Sequence, residues 1–143
     1  MTTALHLDTI ERLRTSEFAD VRDGSGEAWS GPGYHLAALG HSAEQEDPAA
    51  EAEQAEQVSA EYTALEEALT ARWGDPQVFA VGTLRGRTTG EGEIPEPWLT
   101  VCSVTDHVHL WRVEERWLVL CAAQWGTGQP RVLLAAVTVV DPP

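Results

Sequence analysis

The chain has 143 residues, 43% of them hydrophobic, and its 23 acidic and nine basic residues give a net charge of −14. This length suits one domain that buries about two-thirds of its unfolded surface. Nucleic acids and anionic membrane surfaces attract clustered positive charge, which this sequence lacks, so we expect neither as a partner. It also lacks an apolar run long enough to span a bilayer and the apolar segment of a secretory signal, which predicts a cytoplasmic protein.

The negative charge is concentrated in the first half of the chain. Residues 1–76 hold 16 acidic residues against four arginines, and residues 44–67 hold nine acidic residues and no base. All basic residues are arginine, and lysine and asparagine are absent, which is typical of a GC-rich genome rather than of a function. An acidic segment of this kind speeds encounter with a basic partner.

The first 47 residues predict one helix and irregular segments. Residues 3–16 place Leu5, Ile10 and Leu13 near helical spacing, which predicts a helix. Residues 22–35 are glycine-rich and contain a proline, as loops or hairpins do. Residues 36–47 begin apolar and become polar, which predicts a short helix followed by a linker.

The strongest helical pattern covers residues 48–73. Asp47 is a candidate N-cap, Pro48 suits the first helical position, and Gly74 follows the last helical residue. The acidic stretch before residue 58 is predicted to stand in solvent or to contact a partner. One apolar stripe runs along the remainder of the helix and contains Val58, Tyr62, Leu65, Leu69 and Trp73.

The second half predicts strands rich in β-branched and aromatic residues, with turn signals between them. The predicted strands are residues 77–84, 98–104, 107–113, 116–125 and 131–140. Several links are short, which favours an antiparallel meander. Helices followed by strands predict a single α+β domain. Its N-terminal part, 1–76, would be mainly helical and acidic, and would pack on one face of a five-stranded sheet formed by 77–143.

A histidine-rich strand raises the question of a metal. His107 and His109 form an H-x-H pair on a predicted strand, and with Glu114 they give H-x-H-x4-E, which resembles part of the cupin metal-binding motif. The cupin pattern has glycines where this chain has Val101 and Cys121, and no histidine follows residue 109. Metal sites need three or four converging ligands, so the sequence predicts neither a metal nor another cofactor.

The two cysteines are not arranged as a redox motif. Cys102 and Cys121 are expected to be buried free thiols. An odd-length turn at 113–116 would set His107 opposite Cys121 as a nucleophile–base pair, whereas an even turn would set it opposite Ala122. Familiar hydrolase, zinc-protease, P-loop and dinucleotide-binding motifs are absent, so a non-enzymatic role is favoured.

The apolar strands suggest a second surface. A sheet covered on one face would leave the other face exposed, and four of the six tryptophans fall between residues 98 and 125. We therefore expect Trp111 and Trp125 to be anchors of a protein interface or of a homodimer.

Together these patterns favour a small acidic binding protein, of the immunity or adaptor type, that engages a basic protein partner. The acidic residues expected to contact this partner are Glu51, Glu53, Glu56 and Glu61. The alternative hypothesis is an enzyme or small-ligand-binding protein with a sheet pocket around His107, His109 and Trp111.

Overall fold

The computed structural model describes residues 2–21, 23–25, 28–39, 48–83, 94–124 and 132–142. These residues form three helices and seven strands. In chain order they are α1 (Thr2–Thr15), β1 (Asp23–Ser25), β2 (Ala28–Gly31), β3 (Tyr34–Leu39), α2 (Pro48–Trp73), β4 (Gln77–Phe79), α3 (Trp98–Val104), β5 (Val108–Val113), β6 (Arg116–Ala123) and β7 (Val132–Thr138).

The strands form one antiparallel sheet in the order β1-β2-β3-β7-β6-β5-β4. Two runs of consecutive strands, β1–β3 and β5–β7, are joined where β3 pairs with β7, with Tyr34 opposite Thr138. Helix α2 connects β3, near the middle of the sheet, to β4 at its edge. The α+β class is confirmed. The sheet has seven strands rather than five because residues before α2 contribute three and one of the five predicted strands, 98–104, is a helix instead. Its two outermost strands are only three residues long.

Helices α1 and α2 cover one face of the sheet, as predicted. Ile10, Leu65 and Leu69 are fully buried against the side chains that β5, β6 and β7 direct to this face. The rest of the α2 stripe packs at the margin of the same core. Gly74 ends α2 with a φ of +87°, and its N–H donates to the Thr70 carbonyl at 2.9 Å, as expected of a C-terminal glycine.

The opposite face is covered by α3, which corrects the prediction of a strand at 98–104. Trp98, Val101 and Cys102 are buried at helical spacing against the apolar side chains that the strands direct to this face, which together form a second core. The Glu96 carboxylate accepts hydrogen bonds from the Thr100 N–H at 3.3 Å and from its hydroxyl at 2.7 Å, which satisfies a free donor at the helix start. The β-branched residues of 98–104 favour a strand by composition, but burial of one side of the segment favours a helix and determines its conformation.

The predicted short helix at 36–47 is also wrong in its described part, since residues 36–39 belong to β3. This strand lies between β2 and β7 and buries residues on both faces, with Leu36 facing one core and Leu39 the other. Residues 40–47 lie outside the described residues. The predicted strand 77–84 is shorter than expected, since β4 ends at Phe79.

Candidate functional site

The N-terminal part of α2 extends beyond the sheet. We call residues 48–57 the acidic arm. Every side chain described in this segment is exposed, and the first residue of α2 that packs on the core is Val58. After Pro48 the arm contains only alanine, glutamate and glutamine, which favour helix, and it contains no basic residue. The later part of α2 packs on the core, so the helix can extend into the arm although the arm itself makes no core contact.

The four predicted acidic residues have different surroundings. Glu53 and Glu56 are exposed on the arm, and no ion pair joins either of them to another described residue. Glu51 is helical in its backbone, and its side chain lies outside the described part of the structure. Glu61 lies further along α2, with its carboxylate 4.0 Å from the Nε2 atom of His6. The arm therefore contains three of the four acids, and Glu61 belongs to the helix–helix contact.

The predicted tryptophan anchors are not an exposed pair. Trp111 is only 2% exposed, and its indole N–H donates to the Gly74 carbonyl at 2.9 Å. It lies in the core beneath α2, so its side chain does not have the exposure that the predicted partner contact requires. Trp125 lies outside the described residues. Both faces of the sheet carry a buried core, which removes the open apolar face on which these anchors and the homodimer were based.

The predicted histidine pocket is divided into three environments. His107 is exposed and lines a cleft of about 270 Å³ at the end of β5, together with Tyr62, Asp106 and Gln124. His109 is half-buried beside Tyr62, and Trp111 is buried deeper in the core. His107 precedes the first residue of β5, so the strand alternation that was expected to align it with His109 does not extend to it.

Tyr62 connects this cleft to a chain of polar contacts. Its hydroxyl bonds to Nδ1 of His109 and lies 3.1 Å from the Leu120 carbonyl, and the His109 Nε2 atom lies 3.4 Å from a Glu66 oxygen. Burial raises the pKa of Tyr62, with smaller contributions from Cys121 and Glu66, so the phenol stays protonated and can donate. These contacts join α2 to β5 and β6 beside the cleft.

The cysteine hypothesis is settled by the turn between β5 and β6. The strand ends Val113 and Arg116 are paired, so the turn has two residues and this register places His107 opposite Ala122 rather than Cys121. Cys121 is fully buried, which raises the pKa of its thiol to about 12. Cys102 is buried in the same core, and both cysteines are free thiols. The Cys121 thiol therefore lacks the ionisation that a nucleophile needs.

A serine–histidine pair was missed by the sequence analysis. Ser30 on β2 and His35 on β3 stand directly opposite each other across the Pro32-Gly33 turn, and the Ser30 hydroxyl bonds to Nδ1 of His35. The proline–glycine dipeptide between two short strands could have predicted this register, because a two-residue turn fixes which residues face each other. Residues 22–35 were predicted only as loop or hairpin.

Among the described residues, no group of three or more histidine, cysteine, aspartate or glutamate side chains is arranged to hold a metal ion. None of the helices in the described ranges combines the length and apolar character that a bilayer crossing requires. Comparisons of the chain with protein-family models, with curated proteins and with solved structures found no match.

Proposed function

We propose that this protein is a small, cytoplasmic binding protein of the immunity or adaptor type, and that its acidic arm engages a basic protein partner in a non-enzymatic role. The observation that carries the proposal is the exposure of the whole described arm beyond the core. Glu53 and Glu56 are solvent-exposed there, in a segment without a basic residue. Among the residues that the structure describes, no packing contact or ion pair involves these two carboxylates.

The charge of the arm supports recognition of a basic surface. Acidic side chains at the rim of an interface steer the encounter and act mainly on the association rate. Positions 51, 53 and 56 are two and three residues apart, so helix geometry distributes these positions around part of the arm rather than along one line. A groove with basic walls is therefore a better complement than a flat basic surface.

Affinity in such a complex cannot come from Trp111, because the core encloses its side chain. Exposed alanines alternate with the acids on the arm, including Ala52 and Ala55. A helix of small and acidic residues can enter a groove closely, with the partner supplying larger side chains. Two arms would repel each other, which argues against a homodimer through this segment.

The test compares the arm with acids elsewhere. In the arm variant, Glu51, Glu53 and Glu56 are replaced by glutamine. In the control variant, the exposed Glu67, Glu114 and Glu115 are replaced by glutamine, which makes the same change in net charge. Wild-type protein and both variants are immobilised and exposed to extract of the native host, and bound proteins are quantified by mass spectrometry.

We expect wild type and the control variant to recover the same basic protein and the arm variant to lose it. With that purified protein, association of wild type should slow as salt rises, and the arm variant should associate about tenfold more slowly at low salt. Equal recovery by the arm variant, or association that does not depend on salt, would contradict the proposal.

The cleft beside His107 supports a second candidate, small-ligand binding. Its polar lining and its link through Tyr62 to His109 are the favouring observations. The corresponding measurement is an NMR screen with small polar compounds, in which a true ligand shifts the His107 and Gln124 signals and Gln124→Ala weakens its binding. Shifts spread over unrelated surfaces would count against this candidate.

A further inference from the structure

The Ser30–His35 pair has the arrangement of an activated nucleophile. The Ser30 hydroxyl is bonded to one ring nitrogen of His35, Nδ1. The other nitrogen, Nε2, lies 3.3 Å from the Ser16 carbonyl oxygen. A carbonyl can only accept a hydrogen bond, so Nε2 carries the proton and Nδ1 presents its lone pair to the serine. A base held in the correct tautomer by a third group is the general pattern of a serine nucleophile.

The surroundings keep His35 neutral. The residue is 4% exposed, and burial lowers its pKa from the ordinary value of 6.5. The Arg116 guanidinium disfavours a second positive charge, while the Ser16 and Glu17 carbonyls partly oppose this shift. The Phe18 ring, with its centroid 4.8 Å from that of His35, helps to fix the imidazole plane. At neutral pH the ring is therefore available as a base.

Ser30 also has access to space. It is half-buried and lines a cleft of about 320 Å³ between the C-terminal end of α1 and the β1–β2 hairpin. Most of the lining residues are apolar: Leu13 and Ala28 lie on the same side of the sheet as Ser30, while Trp29 and Leu36 are directed to the opposite face. A short hydrocarbon group fits such a lining better than a charged one.

A purely structural role explains the two hydrogen bonds of the imidazole but not the cleft beside Ser30. His35 and Arg116 both contact carbonyls at the end of α1, with Arg116 Nη1 2.9 Å from the Ser16 oxygen. This contact attaches α1 to the sheet and accounts for the Nε2 side of the ring. The Ser30 hydroxyl satisfies the buried Nδ1 atom in such a role as well, but a structural contact does not require a cleft beside that hydroxyl.

We propose that Ser30 is a nucleophile activated by His35 and that the pair hydrolyses small carboxylic esters with an apolar acyl group. The Ser30 oxygen forms a bond to the ester carbonyl carbon while its proton moves to His35 Nδ1. The ester C–O bond then breaks, and the proton passes to the leaving alcohol. Water attacks the acyl-serine in the same way, which releases the carboxylic acid and restores the serine. This activity is independent of the acidic arm and of the function proposed above.

The described residues lining this cleft include no amide or guanidinium side chain that could hold the oxyanion. Slow turnover is therefore expected, and covalent capture is the more sensitive measurement. The full-length protein is treated with a fluorophosphonate probe, and the modified residue is located by peptide mass spectrometry. Hydrolysis of p-nitrophenyl butyrate is followed in parallel. Ser30→Ala is the test variant, and Ser103→Ala, at an exposed serine on α3, is the matched control.

We expect the probe to modify Ser30, with labelling and hydrolysis lost in Ser30→Ala and unchanged in Ser103→Ala. His35→Gln should reduce both by about 100-fold, the usual contribution of a general base. Circular dichroism checks that the His35→Gln variant is folded. Labelling should also slow as the pH falls through the pKa of His35, which burial places below the ordinary 6.5. Absence of labelling at Ser30, or equal labelling and hydrolysis in Ser30→Ala, overturns the proposal and leaves the pair as a structural contact.

Discussion

Leu65 is the residue on which the packing of α2 most directly depends. Its side chain is fully buried, whereas Leu5 on α1 is 65% exposed. Replacing a buried leucine by alanine removes apolar contacts and leaves a cavity, so Leu65→Ala should lower the free energy of unfolding by about 2–5 kcal/mol. Urea denaturation measures this loss. Leu5→Ala is the control and should change it by no more than about 0.5 kcal/mol. Similar values for both variants would show that α2 uses another face.

His6 links the stability of the helix pair to pH. It is 5% exposed on α1, and burial lowers its pKa from 6.5, although the nearby Glu61 carboxylate partly opposes this. The unfolded chain then binds the proton more readily than the folded one, so stability should fall as pH drops below 6.5 and level off below the lowered folded pKa.

The measurement is urea denaturation at pH 7.5 and pH 5.5. Wild type should lose more stability between these values than His6→Gln, which cannot titrate at this position. Leu5→Gln, on the same helix but at an exposed residue, should retain the wild-type pH dependence. The same loss in wild type and in His6→Gln would exclude His6 as a contributor.

At the scale of single residues, the sequence predicted burial better than surroundings. The stripe from Val58 to Trp73 follows from helical spacing, which is local information. The burial of Trp111 cannot be predicted from local spacing. It depends on α2 lying over the strand, and the indole N–H donates to Gly74, which is 37 residues away at the end of that helix. The separation of His107 from His109 depends on where β5 begins, a boundary that residue composition does not mark.

The acidic arm is an element whose stability should be local. Glycine costs about 1 kcal/mol relative to alanine inside a helix. In Ala52→Gly/Ala55→Gly both changes fall in a segment that can unfold without opening the core, so global stability should change by less than about 0.5 kcal/mol while amide exchange in the arm speeds up. Ala64→Gly, at an exposed site in the packed part of α2, should cost the full 1 kcal/mol or so. A larger global loss from the double variant would indicate that the arm packs on the domain.

The two wrongly predicted elements have opposite causes. Residues 98–104 contain β-branched residues but form α3, because Trp98, Val101 and Cys102 match a single buried side. Residues 36–39 contain good helix formers but belong to β3, because strands on both sides supply partners. In the first case the helical spacing and the preceding prolines were a usable signal. In the second case the decisive partner, β7, is almost a hundred residues away, and no local pattern specifies it.

At the scale of the whole molecule, tryptophan use and charge are separated. Each of the five described tryptophans packs in or against one of the two cores. The tryptophans therefore contribute to the packing of helices on both faces of the sheet. The acidic excess lies mainly before residue 77, and part of it stands on the arm. The buried aromatic residues and the charged arm are therefore separate in the structure. The effects of substitutions in the two regions on the free energy of unfolding should be largely additive.

The pairing of β3 with β7 also bears on how the chain is made. During synthesis β3 leaves the ribosome long before β7, although the two strands are hydrogen-bonded neighbours from Tyr34 to Leu39. Until β7 arrives, β3 presents an unsatisfied backbone edge and apolar side chains that will later be buried. Such an interval invites contact between nascent chains. The segment translated during that interval includes the acidic residues of 44–67. Their like charge would make neighbouring nascent chains repel each other before the sheet is complete.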